Sequence, residues 1–340
     1  MQNLERGELH SQYHQYEGMR LNKNLYNVLG TLVIPSLTIL TSKDIDMLLQ
    51  QNIVLRVEDV EDVTILHLVN SAILEVKDIF HMARYADKIP FDVILEKVVP
   101  VVLDMSNHPD FAHILTHLRR HEEYIYTHSI GVALLSKIIG MNGGYQGSQL
   151  ISLITSGFLH DIGKSKIPSH ILNKPGKLTR EEFEIIKKHT IHGYELIRNS
   201  SGFAEEHAYV ALQHHEREDG SGYPFGLKGN EIDQRSKMVA VADVFHAMIS
   251  KRVYKNSIPF YQVLQEMSQF AYGALEPAIT LTFMKRFMDL LIGNSVLLSN
   301  GHEGKIIMVS AHDPVNPIVE VNGMFIDLSK VKTITLDKIL

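Results

Sequence analysis

Between residues 20 and 70, short apolar runs rich in β-branched residues, TLVIPSLTIL, NIVLRV and VTILHLV, surround one stretch of helical period, SKDIDMLLQ, with Ser42 placed to cap its N-terminus. Residues 1–71 therefore read as a small α/β N-terminal module. The period turns helical at SAILEVKDIFHMARYADKI and stays so through FDVILEKVVPVVLDM to residue 290, broken at Gly143-Gly144, Pro168, Pro175-Gly176 and a glycine-rich turn. This predicts a helical connector over 72–105 and an all-α domain over 106–290. Beyond Gly293 the runs SVLLSNG, KIIMVSA, PIVEVNG, MFIDLS and TITLDKIL are short and β-type, separated by Asn-Gly, Asp-Pro and Asn-Pro signals. A β-rich module over 291–340 follows, and the expected fold class is multi-domain α+β with a helical centre.

Composition narrows the function classes. A chain of 340 residues with 45% hydrophobic and 21% charged residues has room for more than one domain and enough apolar content to bury a core. Its net charge of −6 provides no field for a DNA or RNA polymer, so a polyanionic substrate must be met by local lysines and arginines. The absence of cysteine removes disulfides, thiolate metal sites and cysteine nucleophiles together. The N-terminal stretch is polar, and no apolar run reaches the roughly 18 residues of a membrane span. The chain reads as cytoplasmic.

Histidine changes the picture. Of 19 histidines, 13 lie from His108 to His246. In LITSGFLHDIGK, taken as one helix, His160 and Asp161 sit about 100° apart and can flank one ion, with Lys164 over the same face. A structural His-Asp pair is the alternative. Other segments add donors: YTHSIGVALLSKII places His128 at the start of an amphipathic helix, IIKKHTIHGYELI carries His189, ALQHHE carries His214 and His215, and MVAVADVFHAM carries Asp243 in an otherwise apolar run. A lone acid in such a run is costly unless paired or liganded. His128, His160, Asp161, His189, His214, His215 and Asp243 suffice for two ions sharing one carboxylate. With only nitrogen and oxygen donors, Mn, Fe, Co, Ni or Zn suits the site better than Ca or Mg.

The ordered motifs HDIGK, ILNKPGKLT, HHEREDGSGYP, GLKGNEI and VAVADVF resemble the HD-GYP family, the branch of the HD phosphohydrolases that degrades cyclic di-GMP. The resemblance covers residues 106–285 and leaves both terminal modules outside. It implies a helical HD-type catalytic domain with two divalent ions per chain, Fe or Mn. His128, His160, Asp161 and Asp243 would serve one ion, and Asp161, His189, His214 and His215 the other. It also brings Arg252 and Lys255 to phosphate recognition, against the alternative of an exposed basic helix end.

Two cations about 3.5–4 Å apart clamp a phosphodiester and activate a water, so the residues and the resemblance agree on the reaction. Asp161 and Lys164 are the candidate catalytic residues, Lys164 meeting a phosphate or leaving-group oxygen. Gly220 and Gly222 allow DGSGYP to turn back over the site, where Tyr223 is placed to reach the substrate or to fix the loop. His113, His117 and His121 form an i,i+4 stripe without a third ligand and are assigned to a solvated or interdomain face. Two positions depart from the family: Tyr124 stands where some members carry a carboxylate for a third metal, and His246 where another acid is frequent. His246 is an extra-ligand candidate or a polar neighbour of the site. The competing functions are a phosphodiesterase for another cyclic dinucleotide and a non-catalytic cyclic di-GMP receptor acting through a signalling partner. The connector is a candidate for pairing two copies into a homodimer.

Overall fold

The structure, a computed structural model, describes Tyr13 and residues 16–56, 59–108, 111–120, 123–250, 260–271, 273–310 and 313–339. The chain divides between Asn70 and Ser71 into two compact units.

The first unit contains β1 (Arg20–Leu21), β2 (Leu25–Tyr26), β3 (Leu32–Ile34), α1 (Ser42–Gln50) and β4 (Val60–Glu61). β1 pairs with β4 and β2 with β3, both antiparallel. Leu21, Leu25, Ile34, Leu40, Ile45 and Leu48 form its core. Thr41, not Ser42, caps α1: its hydroxyl accepts from the Asp44 N–H while the Asp44 carboxylate accepts from the Thr41 N–H at 2.9 Å. Two of the β-type runs are not strands. Ile53 and Leu55 of NIVLRV are core residues outside any ladder, and VTILHLV opens α2 (Val63–Tyr85). Buried Ile65 and Val69 are in register with Ala72, Ile73, Val76, Ile79 and Phe80, so the helical period extends back through the β-branched run and overrides its local preference.

The second unit is mostly helical, with a β-sheet at its C-terminal end. α3 (Phe91–Val93) passes through a π turn at Ile94–Val98 into α4 (Val99–Asn107), followed by α5 (Phe111–Arg120), α6 (Tyr124–Asn142) and α7 (Gly147–Leu159). After a 3₁₀ turn at Ile162–Lys166 come α8 (Ser169–Leu172), α9 (Arg180–Lys187), α10 (His189–Arg198) and α11 (Glu205–Gln213). A second 3₁₀ turn at Gly229–Glu231 precedes α12 (Gln234–Ser250), α13 (Phe260–Phe270) and α14 (Pro277–Leu290).

α6 is the centre of this unit. Every residue from Thr127 to Gly140 is buried, because α7, α12, α14, α4 and α5 all pack on it. The expected amphipathic helix is therefore apolar on all sides, and its few polar groups, His128 and Lys137 among them, are interior. α12 is held against α14 by Phe245, whose ring lies edge-on to Phe283 at 5.0 Å and Phe287 at 4.7 Å. That packing fixes the helix carrying Asp243.

The C-terminal sheet comprises β5 (Ser295–Leu298), β6 (Glu303–Met308), β7 (Ile318–Val321), β8 (Met324–Asp327) and β9 (Leu336–Ile339), in the order β8-β7-β6-β5-β9 with antiparallel neighbours. Asn322 and Gly323, both at positive φ, close the two-residue β7–β8 hairpin. This is the turn that Asn-Gly favours, because its twist matches that of the flanking strands.

Candidate metal centre

α7 ends at Leu159, so HDIGK does not continue as a helix as the sequence suggested. His160 is the helix cap, Asp161 has φ −102° and ψ 8°, and the backbone turns into the 3₁₀ segment. Gly163 explains the break. A Cβ there would lie 1.9 Å from the His189 carbonyl oxygen and 2.4 Å from the Gly193 nitrogen, so only glycine lets this turn abut α10. The contact delivers His189 to Asp161, with Nε2 3.2 Å from Oδ1.

Asp161 stands between two groups of side chains. Its Oδ2 is 3.2 Å from His160 Nε2 and 3.7 Å from His128 Nε2, while Oδ1 is 3.2 Å from His189 Nε2 and 3.7 Å from His214 Nε2. On one side, His128 Nε2 is 3.0 Å and His160 Nε2 3.9 Å from Asp243 Oδ1. On the other, His215 Nδ1 lies 3.8 Å from Asp243 Oδ2. The donor atoms form two clusters, His128-His160-Asp243 and Asp161-His189-His214-His215, each with its atoms within 4.8 Å of one another and so able to hold a metal ion. Thus all seven residues singled out in the sequence meet at one buried place.

Their ring orientations are fixed from behind. Nδ1 of His160 donates to the Gly157 carbonyl at 2.8 Å, that of His189 to Ile186 at 2.7 Å and that of His214 to Ala211 at 3.0 Å. Each Nε2 is left as a lone-pair donor facing inward, the arrangement typical of metal-ligating histidine. Two atoms are open to a cation: His160 Nε2 and Asp161 Oδ1 are buried without a hydrogen-bond partner among the described residues. Both lie within ion-pair reach of neighbouring side chains. Such orphaned atoms are costly in a dry interior, and a bound ion satisfies them. The residues present fit divalent metal.

Electrostatics agree. Burial pushes the His214 imidazole down to about 4, and it likewise holds His128 and His215 below the ordinary histidine range. These rings are neutral at pH 7, as ligands must be. His160 is the exception, since burial lowers it but Asp161 more than offsets that and raises it. Burial alone would raise the Asp161 carboxyl; Lys164 and then His160 outweigh it and hold Asp161 well below the carboxylate range. Asp243 is held low against burial in the same way, chiefly by His128. Lys164 Nζ sits 2.5 Å from Asp161 Oδ2.

DGSGYP lies over the centre. Gly220 takes φ +80°, and a Cβ on Gly222 would sit 2.4 Å from Glu216 Cα, so the two glycines serve different needs, one a turn and the other a close approach. The Tyr223 ring packs on His215 with centroids 4.6 Å apart, and Lys187 Nζ lies 5.6 Å from the Tyr223 centroid. The Tyr223–Pro224 peptide is cis. Glu216 was not legible as functional. It is 2% exposed, and its carboxylate accepts from Phe225 N at 2.8 Å and Leu227 N at 2.9 Å, tying the loop to the end of α11. An acid next to a histidine pair and before a glycine-rich turn was the available signal.

His246 belongs to neither cluster. It is buried behind His128, with their Nδ1 atoms 2.9 Å apart. Tyr124 stacks on His128 at 5.1 Å, its hydroxyl 3.4 Å from the same His128 Nδ1, and burial followed by Asp243 and Asp161 raises its phenol, keeping it neutral. Arg252, Lys255 and His121 lie outside the described residues, as does the side chain of His113. Lys174 pairs with Glu182 at 2.7 Å and has a structural role. Among the described residues no helix is long and apolar enough to cross a membrane.

A helical unit that gathers histidines and aspartates from five segments around one shared aspartate defines an HD domain, and residues 112–278 match that family. Over 246 residues the chain is 31% identical to a cyclic di-GMP phosphodiesterase of Pseudomonas aeruginosa, covering 72% of this chain and 59% of that protein. Over 205 residues it is 32% identical to a 3′3′-cGAMP-specific phosphodiesterase of Vibrio cholerae, covering 59% and 43% respectively. The chain thus spans about half the length of these curated relatives. An HDG"Y"P protein of Bdellovibrio bacteriovorus has a similar fold, with a TM-score of 0.50 at 17% identity over 78% of this chain and 94% of that one. The chain carries an HD domain of the HD-GYP type.

Proposed function

We propose that this chain is a metal-dependent phosphodiesterase that hydrolyses cyclic di-GMP to pGpG and, more slowly, to GMP. The observation that carries the reading is the placement of the two Asp161 oxygens, one toward His160 and His128, the other toward His189 and His214. His128, His160, Asp161 and Asp243 would hold one divalent ion and Asp161, His189, His214 and His215 a second, iron or manganese in keeping with the family. A bound pair of ions supplies Lewis acidity toward the phosphate and lowers the pKa of water.

The chain's residues do the rest. Lys164 keeps Asp161 ionised and offers a positive charge at the edge of the cluster, where it is 21% exposed and within reach of a substrate phosphate. Tyr223, held by His215 and by the Glu216-anchored loop, walls the site. Water adds to phosphorus, the P–O3′ bond breaks, a proton passes to the leaving oxygen, and a 5′-phosphate remains on pGpG. Tyr124 stays a neutral phenol and His246, behind His128, is in neither cluster of donors, so two ions rather than three fit the reading.

The Vibrio cholerae relative named for 3′3′-cGAMP favours a second reading, in which the same centre acts on that mixed dinucleotide. A complete donor set argues against a receptor that has lost catalysis. Time-resolved chromatography of cyclic di-GMP and 3′3′-cGAMP reactions, beside a metal count, tests these readings. Early pGpG with two ions per chain is expected. Preference for 3′3′-cGAMP would move the substrate, and GMP from the first turnovers with three ions would overturn the two-ion site.

A further inference from the structure

About 13.5 Å further along α6 from His128, Lys137 is buried to 6% exposure on the floor of a separate cleft between α4, α6 and α14. Its ammonium donates to Ser106 Oγ at 2.7 Å and Asn107 Oδ1 at 2.6 Å, both uncharged oxygens. No carboxylate pairs with it among the described residues, and burial accordingly lowers its pKa. A buried ammonium with no counter-charge is costly, and side chains are rarely kept in that state without a partner.

The cleft has a volume of about 490 Å³ and faces Lys137 with further donors. Asn142 Nδ2 is buried there without a hydrogen-bond partner. Arg286, on the exposed rim, makes no ion pair or hydrogen bond among the described residues, and Thr282 adds a hydroxyl. Asp289, the lining carboxylate, is already paired with Lys285 at 3.0 Å. The walls therefore carry an excess of two positive charges.

We propose that this cleft is a binding site for a small phosphate-bearing anion, no larger than a mononucleotide, whose charge neutralises Lys137 and is gripped by Arg286 and Asn142. Charge-assisted hydrogen bonds from a planar guanidinium and an ammonium suit a phosphate group. The site is independent of the metal centre and of the activity proposed for it.

Equilibrium dialysis of the full chain against radiolabelled orthophosphate tests the proposal. Saturable binding should survive Asp161→Ala, which disables the metal centre, and Lys332→Met, an exposed control. It should weaken at least about tenfold in Arg286→Met and in Lys137→Met, the loss of one charged hydrogen bond. Should Lys137→Met fail to fold, Arg286→Met on the rim decides alone. Stronger displacement of label by GMP than by unlabelled phosphate assigns a mononucleotide, and equal displacement assigns phosphate itself. Absence of saturable binding in Asp161→Ala, binding that Arg286→Met leaves unchanged, or equal displacement by chloride would overturn the site.

Discussion

The Nδ1 atoms of His128 and His246 lie 2.9 Å apart in the buried interior of the second unit, so one proton is shared between two neutral rings. For His128 to offer Nε2 as a ligand, its Nδ1 must carry the proton and His246 must accept it. The space for His246 comes from Gly131, where a Cβ would lie 2.0 Å from His246 Nε2. His246→Ala should therefore weaken metal binding by about tenfold or more, the usual cost of losing the group behind a ligand, while His246→Asn, which keeps an acceptor, restores part of it. Metal retained during titration with a chelator is the measurement. Unchanged retention in His246→Ala would show that the ring merely fills space.

Asp161→Ala should remove both ions and abolish turnover, since each carboxylate oxygen faces a different cluster. His189→Ala should remove one ion and leave the other. Elemental analysis of the two purified variants checks this, and equal loss in both would contradict the division of donors.

Glu216→Ala leaves two backbone N–H groups, those of Phe225 and Leu227, without their buried acceptor. Bonds of this charged kind contribute about 1.5–3 kcal/mol each. The loop should loosen, lowering kcat/KM, while the metal count stays that of the wild type. Loss of metal in step with activity would instead make Glu216 part of the centre's support.

His207 gives a pH dependence to stability. Burial lowers its pKa; its Nδ1 accepts from the Ala204 N–H at 3.1 Å, and Nε2 lies 3.2 Å from Ser152 Oγ. The folded state therefore binds this proton less readily than the unfolded chain, whose histidine titrates near about 6.5. Below that pH the unfolded state takes up the extra proton, and stability falls as pH drops toward the folded pKa. His207→Gln should lose less in thermal midpoint between pH 7.5 and pH 5.5 than the wild type. An identical loss would assign the acid sensitivity to other histidines.

Local rules carried much of this protein. Helical period outlined the second unit, Asn322-Gly323 announced its hairpin, and the donor order from His128 to Asp243 named the centre because each motif holds its own ligands and turn within a few residues. Tertiary packing decided what spacing cannot encode. VTILHLV became helix because a longer register buried its apolar face, and α6 lost its polar side because five helices surround it. HDIGK broke after Leu159 because Gly163 meets the backbone of α10, and this contact turned the two Asp161 oxygens toward separate clusters. His246 became a neighbour of a ligand through the gap at Gly131, a residue 115 positions away in sequence. Which way a side chain points is a property of the packed whole, since its direction depends on surfaces brought together only by folding.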